Sequence, residues 1–278
     1  MKQHTLRQSL SFSGAGLHTG KPVNLRVSPA PIDFGIRFNR TDLGEAPAVP
    51  ALVEYVGKTR RATSLSYKGV KVLTPEHLLS ALSALGVDNA LIDLDAPEVP
   101  ILDGSARPYA EAIRASGLVE QDDERHFLVI EKPFVHEDPR SGSRIVFEPA
   151  DETVFDVTID FDSKVVGVQH AVFDAAADYL TEVAPARTFC FLQEVRLLLK
   201  LGLIRGGSLD NALVVDEQKG DYYGGRQPYF DNEPARHKLL DLIGDMSLAG
   251  RPILGRITAY KPGHKVNTQA LKKWIETL

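Results

Sequence analysis

The sequence predicts an α+β fold built from two similar units, each with a sheet and helices. Four short segments alternate apolar and polar side chains with the period of two that is typical of a strand with one buried face. They are residues 23–27 and 36–38 in the N-terminal part and residues 144–147 and 154–161 in the C-terminal part. Each part also holds a helical segment with a histidine near its start. A chain of 278 residues, 43% of them hydrophobic, can bury two such cores.

A run of charge marks the expected boundary between the two units. Residues 120–125 follow Gly117 and are charged at every position but one. This run separates two stretches that each look like a complete α+β unit. We therefore place the first domain at residues 1–120 and the second at residues 126–278.

The first helix signal begins at Thr74, which we expect to cap the helix, with Pro75 in the first helical position. Glu76 suits the positive end of the helix dipole, and His77 follows it directly. An imidazole beside a carboxylate supplies the ligand and the general base that the H-E-x-x-H metalloproteases use. Taken alone, the pair is also explained if Glu76 only complements the dipole.

The second helix signal covers residues 234–246. At about 100° per residue, His237, Asp241 and Asp245 fall within roughly 80° of one another, and Lys238 closes the same polar arc. The opposite arc is apolar and can be buried, so the polar arc must face either solvent or a metal and an anion. Together with the histidine of the first helix, this arc offers two His and one Asp. That is a catalytic zinc ligand set with a fourth position left for water.

The order of parts repeats in the two halves. Each helix is followed by a strand, a Pro/Gly loop and a further helix, which we expect to be capped by Ser105 in the first half and by Asn267 or Thr268 in the second. Ser105 lies 28 positions after His77, and Asn267 lies 30 positions after His237. A duplication would explain this order. It would also bring the two helix starts together in an interdomain cleft, a favoured place for a small-molecule site.

Composition excludes several classes of protein. The net charge of −5 and the scattered Lys and Arg argue against nucleic acid as a partner. Cys190 is the only cysteine, so the chain can form no internal disulfide, and a cytoplasmic location fits best. We expect Cys190 to be a small buried apolar residue and not a nucleophile. The most apolar stretch, residues 195–204, is too short and too interrupted by charge to span a bilayer, so no transmembrane segment is predicted.

Seven motifs show a resemblance that covers nearly the whole chain. They lie at residues 13–20, 74–78, 100–105, 186–189, 205–212, 236–245 and 261–264. With these motifs the chain closely resembles the zinc-dependent UDP-3-O-acyl-N-acetylglucosamine deacetylases of lipid A biosynthesis. The resemblance implies two domains packed as a sandwich with helices between the sheets, each domain with a small insertion. It also implies hydrolysis of the N-acetyl group from a UDP-linked acylated amino sugar. Some members of this family continue into a fused dehydratase domain.

The resemblance also implies a role for individual residues. His77, His237 and Asp241 would hold one zinc ion, Glu76 would act as general base on a zinc-activated water, and His264 would act as general acid. The remaining roles fall to residues around these five. Asp245 would orient or charge-pair the general acid, Thr188 would stabilise the oxyanion, and Lys238 and Phe189 would contact the nucleotide-sugar.

Residues 191–212 allow two interpretations. Their dense apolar run is by itself most simply a core helix. The resemblance instead implies a strand-helix-strand insertion that forms a hydrophobic passage for the acyl chain, with residues 212–215 as the returning strand. On that interpretation the substrate would also contact Leu17, Leu201, Ser208 and Ala212.

Two other functions share part of this site. A non-haem iron(II) oxygenase uses the same ligand set of two His and one carboxylate. A non-catalytic nucleotide-sugar binding protein could carry a metal for structural reasons, but such sites normally fill all four positions with protein ligands. The general base next to His77, and the four-residue spacing of His237 and Asp241, favour metal-assisted amide hydrolysis.

Overall fold

A computed structural model describes residues 1–174 and 176–278. The N-terminal half contains nine strands and two α-helices. In chain order these are β1 (Lys2–Leu6), β2 (Leu10–Ala15), β3 (Pro22–Pro29), β4 (Ile36–Arg40), β5 (Val49–Pro50), β6 (Ser64–Tyr67), β7 (Val70–Leu73), α1 (Glu76–Ala84), β8 (Ala90–Leu94), α2 (Arg107–Ser116) and β9 (Leu118–Glu124).

Among the described residues, the C-terminal half contains ten strands and four α-helices. They are β10 (Leu128–Val129), β11 (Phe134–Asp138), β12 (Ser143–Glu148), β13 (Val154–Asp160), β14 (Val168–Asp174), α3 (Tyr179–Glu182), β15 (Phe189–Phe191), α4 (Leu192–Lys200), β16 (Leu213–Asp216), β17 (Asp221–Tyr222), α5 (Glu233–Met246), β18 (Ile253–Leu254), β19 (Arg256–Tyr260) and α6 (His264–Ile275). None of the helices in residues 1–174 and 176–278 combines the length and the apolar character needed to cross a membrane.

The two main sheets have the same topology. The order is β2-β3-β8-β4-β5 in the first and β11-β12-β19-β13-β14 in the second, so each sheet draws its strands from one half of the chain. In both sheets the central strand, β8 or β19, follows the histidine-bearing helix and runs parallel to one neighbour and antiparallel to the other. The α+β prediction is confirmed, and the shared topology supports the duplication inferred from the order of parts.

The histidine-bearing helices α1 and α5 pack against each other in the centre of the molecule. Twelve of the 14 residues of α5 are buried, including its His and Asp residues, so the polar arc is not a solvated face. The two helices approach closely at Gly244, where a Cβ atom would overlap the backbone carbonyl oxygen of Glu76. A glycine at this position therefore lets α1 lie directly against α5.

The charged run at residues 120–125 is not a loop. Most of it lies in β9, which pairs with β1 in an antiparallel ribbon with partners such as Leu6 and Leu118. The strand can contain these acidic side chains because most of them remain exposed to solvent. The carboxylate of Glu124 also lies 3.0 Å from the amino group of Met1, which offsets its charge. The domain division at residues 120–126 remains our proposal.

Two predicted helix caps are wrong. Helix α1 begins after Pro75, and Thr74 instead donates a hydrogen bond of 3.0 Å from its hydroxyl to Glu98. Helix α6 begins at His264, so Asn267 and Thr268 lie inside it and not at its cap. The side chain of Asn267 accepts a hydrogen bond from the backbone N–H of Gly263, which satisfies the helix start from within. Local composition could not identify this internal partner.

The third cap prediction is close to the structure. Helix α2 begins at Arg107, and the hydroxyl of Ser105 accepts a hydrogen bond of 3.1 Å from the backbone N–H of Arg107. The side chain of Ser105 therefore satisfies one of the free N–H groups at this helix start.

The apolar run at residues 191–212 provides the helix of a strand-helix-strand insertion. Strands β15 and β16 pair in parallel and α4 connects them, as the resemblance implied, although the returning strand begins at Leu213. The alternative of a core helix is wrong, because Leu198 is the buried residue of α4 and Leu197 is 58% exposed. An apolar helix with so little burial needs another apolar partner to cover it.

Candidate metal and catalytic site

A cavity of about 930 Å³ lies where the two halves meet. Its walls come from α1, α5, the insertion β15-α4-β16 and the loop that leads into α6. Nearly all the residues to which the sequence analysis assigned catalytic or ligand roles line this cavity: Glu76, His77, Thr188, His237, Lys238, Asp241 and His264. The volume is in the usual range for small-molecule sites.

Three potential metal ligands converge in this cavity. Nε2 of His77 lies 3.7 Å and Nε2 of His237 lies 3.5 Å from Oδ1 of Asp241. One ligand atom from each of the three residues lies within 4.8 Å of the other two. Donors about 2.0–2.1 Å from a tetrahedral Zn²⁺ are roughly 3.4 Å apart, so this spacing fits a shared ion.

The protonation states of these residues also suit a cation. Burial lowers the pKa of His77 to about 3, with His237 acting in the same direction, and burial lowers the pKa of His237 as well. Burial opposes ionisation of Asp241, but Lys238 and His237 outweigh it and hold its pKa well below the usual value. Two neutral imidazoles and one carboxylate are the forms that bind a metal.

The hydrogen bonds around Asp241 leave one oxygen free. Its Oδ2 accepts a hydrogen bond of 2.7 Å from Nζ of Lys238. Its Oδ1 is buried, and in residues 1–174 and 176–278 it has no hydrogen-bond partner. An unpaired buried carboxylate oxygen is unfavourable, and a cation between it and the two imidazoles would satisfy it. The other side of the His237 ring is held by the Ala186 carbonyl, 3.0 Å from Nδ1, which turns Nε2 toward Asp241.

Glu76 lies beside the three potential ligands and is fully buried. Burial raises its pKa to about 8, with Asp241 adding to the rise and His264 opposing it. Its Oε2 accepts a hydrogen bond from the backbone N–H of Thr63, and its Oε1 lies 3.7 Å from Nε2 of His264. A carboxylate with a pKa near neutrality is suited to take up and return a proton.

His264 lies in the first turn of α6, and its ring faces three carboxylates. Burial alone would lower its pKa, but Asp245, followed by Asp241 and Glu76, outweighs this effect and raises the pKa to about 9. Nδ1 of the ring lies 3.0 Å from Oδ2 of Asp245, which leaves Nε2 to point into the cavity. His264 is therefore an imidazolium at neutral pH, a form that can donate a proton.

Asp245 is held by two residues that the sequence analysis did not assign to the site. The hydroxyl of Thr63 donates a hydrogen bond of 2.6 Å to Oδ1, and the side-chain amide of Asn267 donates one of 2.9 Å to Oδ2. The same Oδ2 lies 3.0 Å from Nδ1 of His264, which is 19 residues further along the chain. Thr63 has no local signal in the sequence, because its partner is 182 residues distant.

The predicted substrate contacts are placed unevenly. Leu17, Phe189, Ser208 and Ala212 line the cavity, together with apolar side chains of α4. Leu201 does not belong to this lining; it follows the end of α4 and is 45% exposed. Leu201 is the C-cap of α4, two positions after the lining residue Leu199, and two positions along a helical turn rotate a side chain by about 200°, away from the cavity.

Cys190 also lines the cavity and is only half buried. Burial raises the pKa of its thiol to about 11. The thiol therefore stays protonated near neutral pH and is a poor nucleophile, as expected. The expectation that Cys190 is fully buried is wrong, because the residue forms part of the cavity wall.

Comparison with known proteins identifies the family. A family model for UDP-3-O-acyl N-acetylglycosamine deacetylase matches residues 3–276. The UDP-3-O-acyl-N-acetylglucosamine deacetylase of Myxococcus xanthus is 45% identical, over 98% of this chain and 85% of the relative. The protein of the same name from Saccharophagus degradans is 42% identical, over 99% of this chain and 91% of the relative.

A further group of relatives is longer. The bifunctional enzyme LpxC/FabZ of Porphyromonas gingivalis is 43% identical over 96% of this chain, and the chain spans 63% of the length of that relative. The expectation that relatives occur fused to a second enzyme is thereby supported. The family model and these identities both extend over nearly the whole sequence. The chain therefore belongs to the UDP-3-O-acyl N-acetylglycosamine deacetylase family.

Proposed function

We propose that this protein is a zinc-dependent cytoplasmic enzyme of lipid A biosynthesis that removes the N-acetyl group from UDP-3-O-acyl-N-acetylglucosamine. Family membership supports the substrate and the reaction. One structural observation carries the mechanism: the unpaired Oδ1 of Asp241 lies between His77 and His237, with Glu76 and His264 beside them. This arrangement combines a metal site with a base and an acid.

The donor set fits a catalytic zinc ion held by His77, His237 and Asp241, with one position open to solvent and substrate. When bound, Zn²⁺ supplies Lewis acidity to the acetamide carbonyl and lowers the pKa of a water molecule. The same ligands could bind iron(II), but an oxygenase needs neither the base Glu76 nor the acid His264. The presence of Glu76 and His264 therefore favours hydrolysis over an oxygenase reaction.

The chain's own residues divide the proton transfers between them. Glu76 takes a proton from the attacking water, whose oxygen forms the new bond to the acetyl carbon. Thr188 and Lys238 line the cavity, where they can stabilise the oxyanion and the nucleotide-sugar, with Phe189 beside them. As the C–N bond breaks, His264 gives its Nε2 proton to the leaving amine. The products are acetate and the free amino sugar.

Acetate release from UDP-3-O-acyl-N-acetylglucosamine, measured with and without a metal chelator, tests the function directly. We expect release by the zinc-loaded protein and its loss after chelation, with recovery when Zn²⁺ is restored. A zinc-loaded, folded protein that releases no acetate would disprove the proposed activity.

We expect about one zinc ion per chain, and loss of that ion when His237 is replaced by Ala. Removing one of three ligands leaves too few donors to hold a catalytic metal tightly. Elemental analysis of dialysed protein provides the measurement. His170→Ala is the matched control, because His170 is an exposed histidine paired with Asp156 on the surface, and it should retain full zinc. Equal zinc content in the two variants would contradict the ligand assignment.

Asp245→Asn is expected to shift the alkaline limb of the pH profile to lower pH. Asp245 contributes most to the raised pKa of His264, so its neutralisation lowers that pKa from about 9. The imidazolium is the active form of the acid, so its proton is then lost at lower pH and activity falls first on the alkaline side. The pH dependence of kcat/KM, with zinc content held equal, measures this shift. An alkaline limb at its original position would assign that limb to another group.

A further inference from the structure

A buried ion pair joins the loop before Thr188 to the start of α5. Arg187 and Glu233 have side chains that are 7% and 0% exposed. The backbone N–H of Arg187 and its Nε each donate a hydrogen bond of 2.9 Å to Oε1 of Glu233, and Nη2 donates one of 3.1 Å to Oε2. The main chain and the guanidinium of Arg187 therefore both bind the carboxylate of Glu233. This fixes the backbone of the loop as well as the Arg187 side chain.

Two further contacts restrict this pair. Nη2 of Arg187 also donates a hydrogen bond of 2.9 Å to the backbone carbonyl of Gln227, and the guanidinium lies 3.9 Å from the centre of the Tyr229 ring. The backbone N–H of Tyr229 donates to Glu233 as well. The carboxylate of Glu233, the first residue of α5, thus accepts hydrogen bonds from two separate segments of the chain. It therefore has little freedom to move.

The neighbours of Arg187 in the chain both belong to the proposed active site. Ala186 accepts the hydrogen bond from the His237 ring through its carbonyl, and Thr188 lines the cavity as the candidate for oxyanion stabilisation. Glu233 lies one helical turn before His237 on α5. The ion pair therefore connects the loop that carries the Ala186 carbonyl to the helix that carries the His237 ring.

Stability alone does not require such a pair. Buried ion pairs are often no more stabilising than apolar residues of similar volume, because both charges must be desolvated. An apolar contact would hold the loop near the helix without fixing its register. By contrast, the hydrogen bond on the other nitrogen of a metal-binding histidine sets its ring orientation and its tautomer.

We propose that Arg187 and Glu233 are positioning residues of the active site. Their ion pair holds the Ala186 carbonyl against Nδ1 of His237, so that Nε2 faces Asp241, and it fixes Thr188 at the cavity wall. This inference rests on the proposed metal-dependent deacetylation.

The test replaces Glu233 with Gln, which preserves shape and removes the charge. We expect zinc affinity, measured by competition with a chelator, to fall up to about 10-fold, the lower end of the loss seen when a metal-binding histidine loses its own hydrogen-bond partner, because Glu233 acts on that partner through Arg187. We expect kcat to fall at saturating zinc while KM changes little, because the acyl and nucleotide contacts remain. Arg187→Lys keeps the charge and loses the bidentate geometry, so it should give a smaller change in the same direction.

Asp88→Asn is the matched control. It breaks the ion pair of Asp88 with Arg125, whose side chains are 11% and 14% exposed and lie outside the cavity lining. This control should lower the thermal midpoint while leaving zinc affinity and kcat unchanged. The inference is overturned if Glu233→Gln and Arg187→Lys both keep wild-type zinc affinity and kcat. It is also overturned if Asp88→Asn weakens zinc binding as much as they do.

The same experiment separates this inference from the proposed function. A wild-type protein that binds no zinc or releases no acetate contradicts the proposed function. A wild-type protein that does both, with variants that match it, contradicts only the positioning role. If Glu233→Gln does not fold, Arg187→Lys decides between the two outcomes.

Discussion

Replacing Glu76 with Gln is expected to lower kcat by about 10²- to 10⁴-fold, the usual contribution of a general base. Gln keeps the size of the side chain and can still accept the hydrogen bond from Thr63, but it cannot take a proton at neutral pH. The three potential metal ligands do not include Glu76, so zinc content should stay near one ion per chain. Steady-state kinetics of acetate release and elemental analysis of the same sample measure both quantities.

Glu111→Gln provides the control for this prediction. Glu111 is an exposed residue of α2, and its replacement should change neither kcat nor zinc content. If Glu76→Gln retained more than about a tenth of wild-type kcat with full zinc, another group would have to act as the base. Loss of zinc together with activity would instead make Glu76 a determinant of metal binding.

Helical geometry explains why much of this site could be predicted. Residues four apart on a helix share a face, so the placement of His237, Asp241 and Asp245 followed from local spacing alone. The structure places all three side chains in the buried centre of the molecule. Glu76 and His77 were predicted on a different ground, because signals of a helix start preceded a carboxylate directly next to an imidazole.

Contacts between distant segments could not be predicted in this way. The hydroxyl of Thr63 reaches Asp245 across 182 residues, and the ion pair of Arg187 with Glu233 spans 46. Nothing in the local sequence of either partner specifies the other. The pairing of β9 with β1 is equally long-range, and the charge of residues 120–124 gave no local signal of a strand.

The apolar insertion shows how burial decides between two interpretations of one pattern. Composition could not separate a core helix from the wall of a passage, since both are rich in leucine. In the structure α4 presents Leu192, Val195, Leu198 and Leu199 to the cavity. Leu197 and Leu201, by contrast, lie outside this lining. The helix therefore has a lining face and an outer face, and the two can be tested separately.

Removing the acyl chain from the substrate is expected to lower kcat/KM by about 10³-fold. Burial of each methylene contributes up to ~0.8 kcal/mol, so about five buried methylenes give ~4 kcal/mol, and each 1.4 kcal/mol is a factor of about ten. Comparing UDP-3-O-acyl-N-acetylglucosamine with UDP-N-acetylglucosamine, at matched pH and zinc content, measures this difference. Equal efficiency on the two substrates would show that the insertion has no part in recognition.

Two substitutions should reduce the preference for the acylated over the non-acylated substrate without removing zinc. Ala212→Trp fills the passage and Leu199→Glu places a charge on its wall, since both residues line the cavity. Leu197→Glu is the matched control on the same helix, because Leu197 is exposed and outside the lining. Leu199 is 49% exposed, but because it lines the cavity an acyl chain would cover its side chain, and a charge covered in this way opposes binding. A charge at position 197 stays in solvent when the acyl chain binds. We therefore expect the acyl preference to fall in the first two variants and to persist in the control. A preference that fell equally in Leu197→Glu would mean that the helix acts through its folding, and not as the wall of a passage.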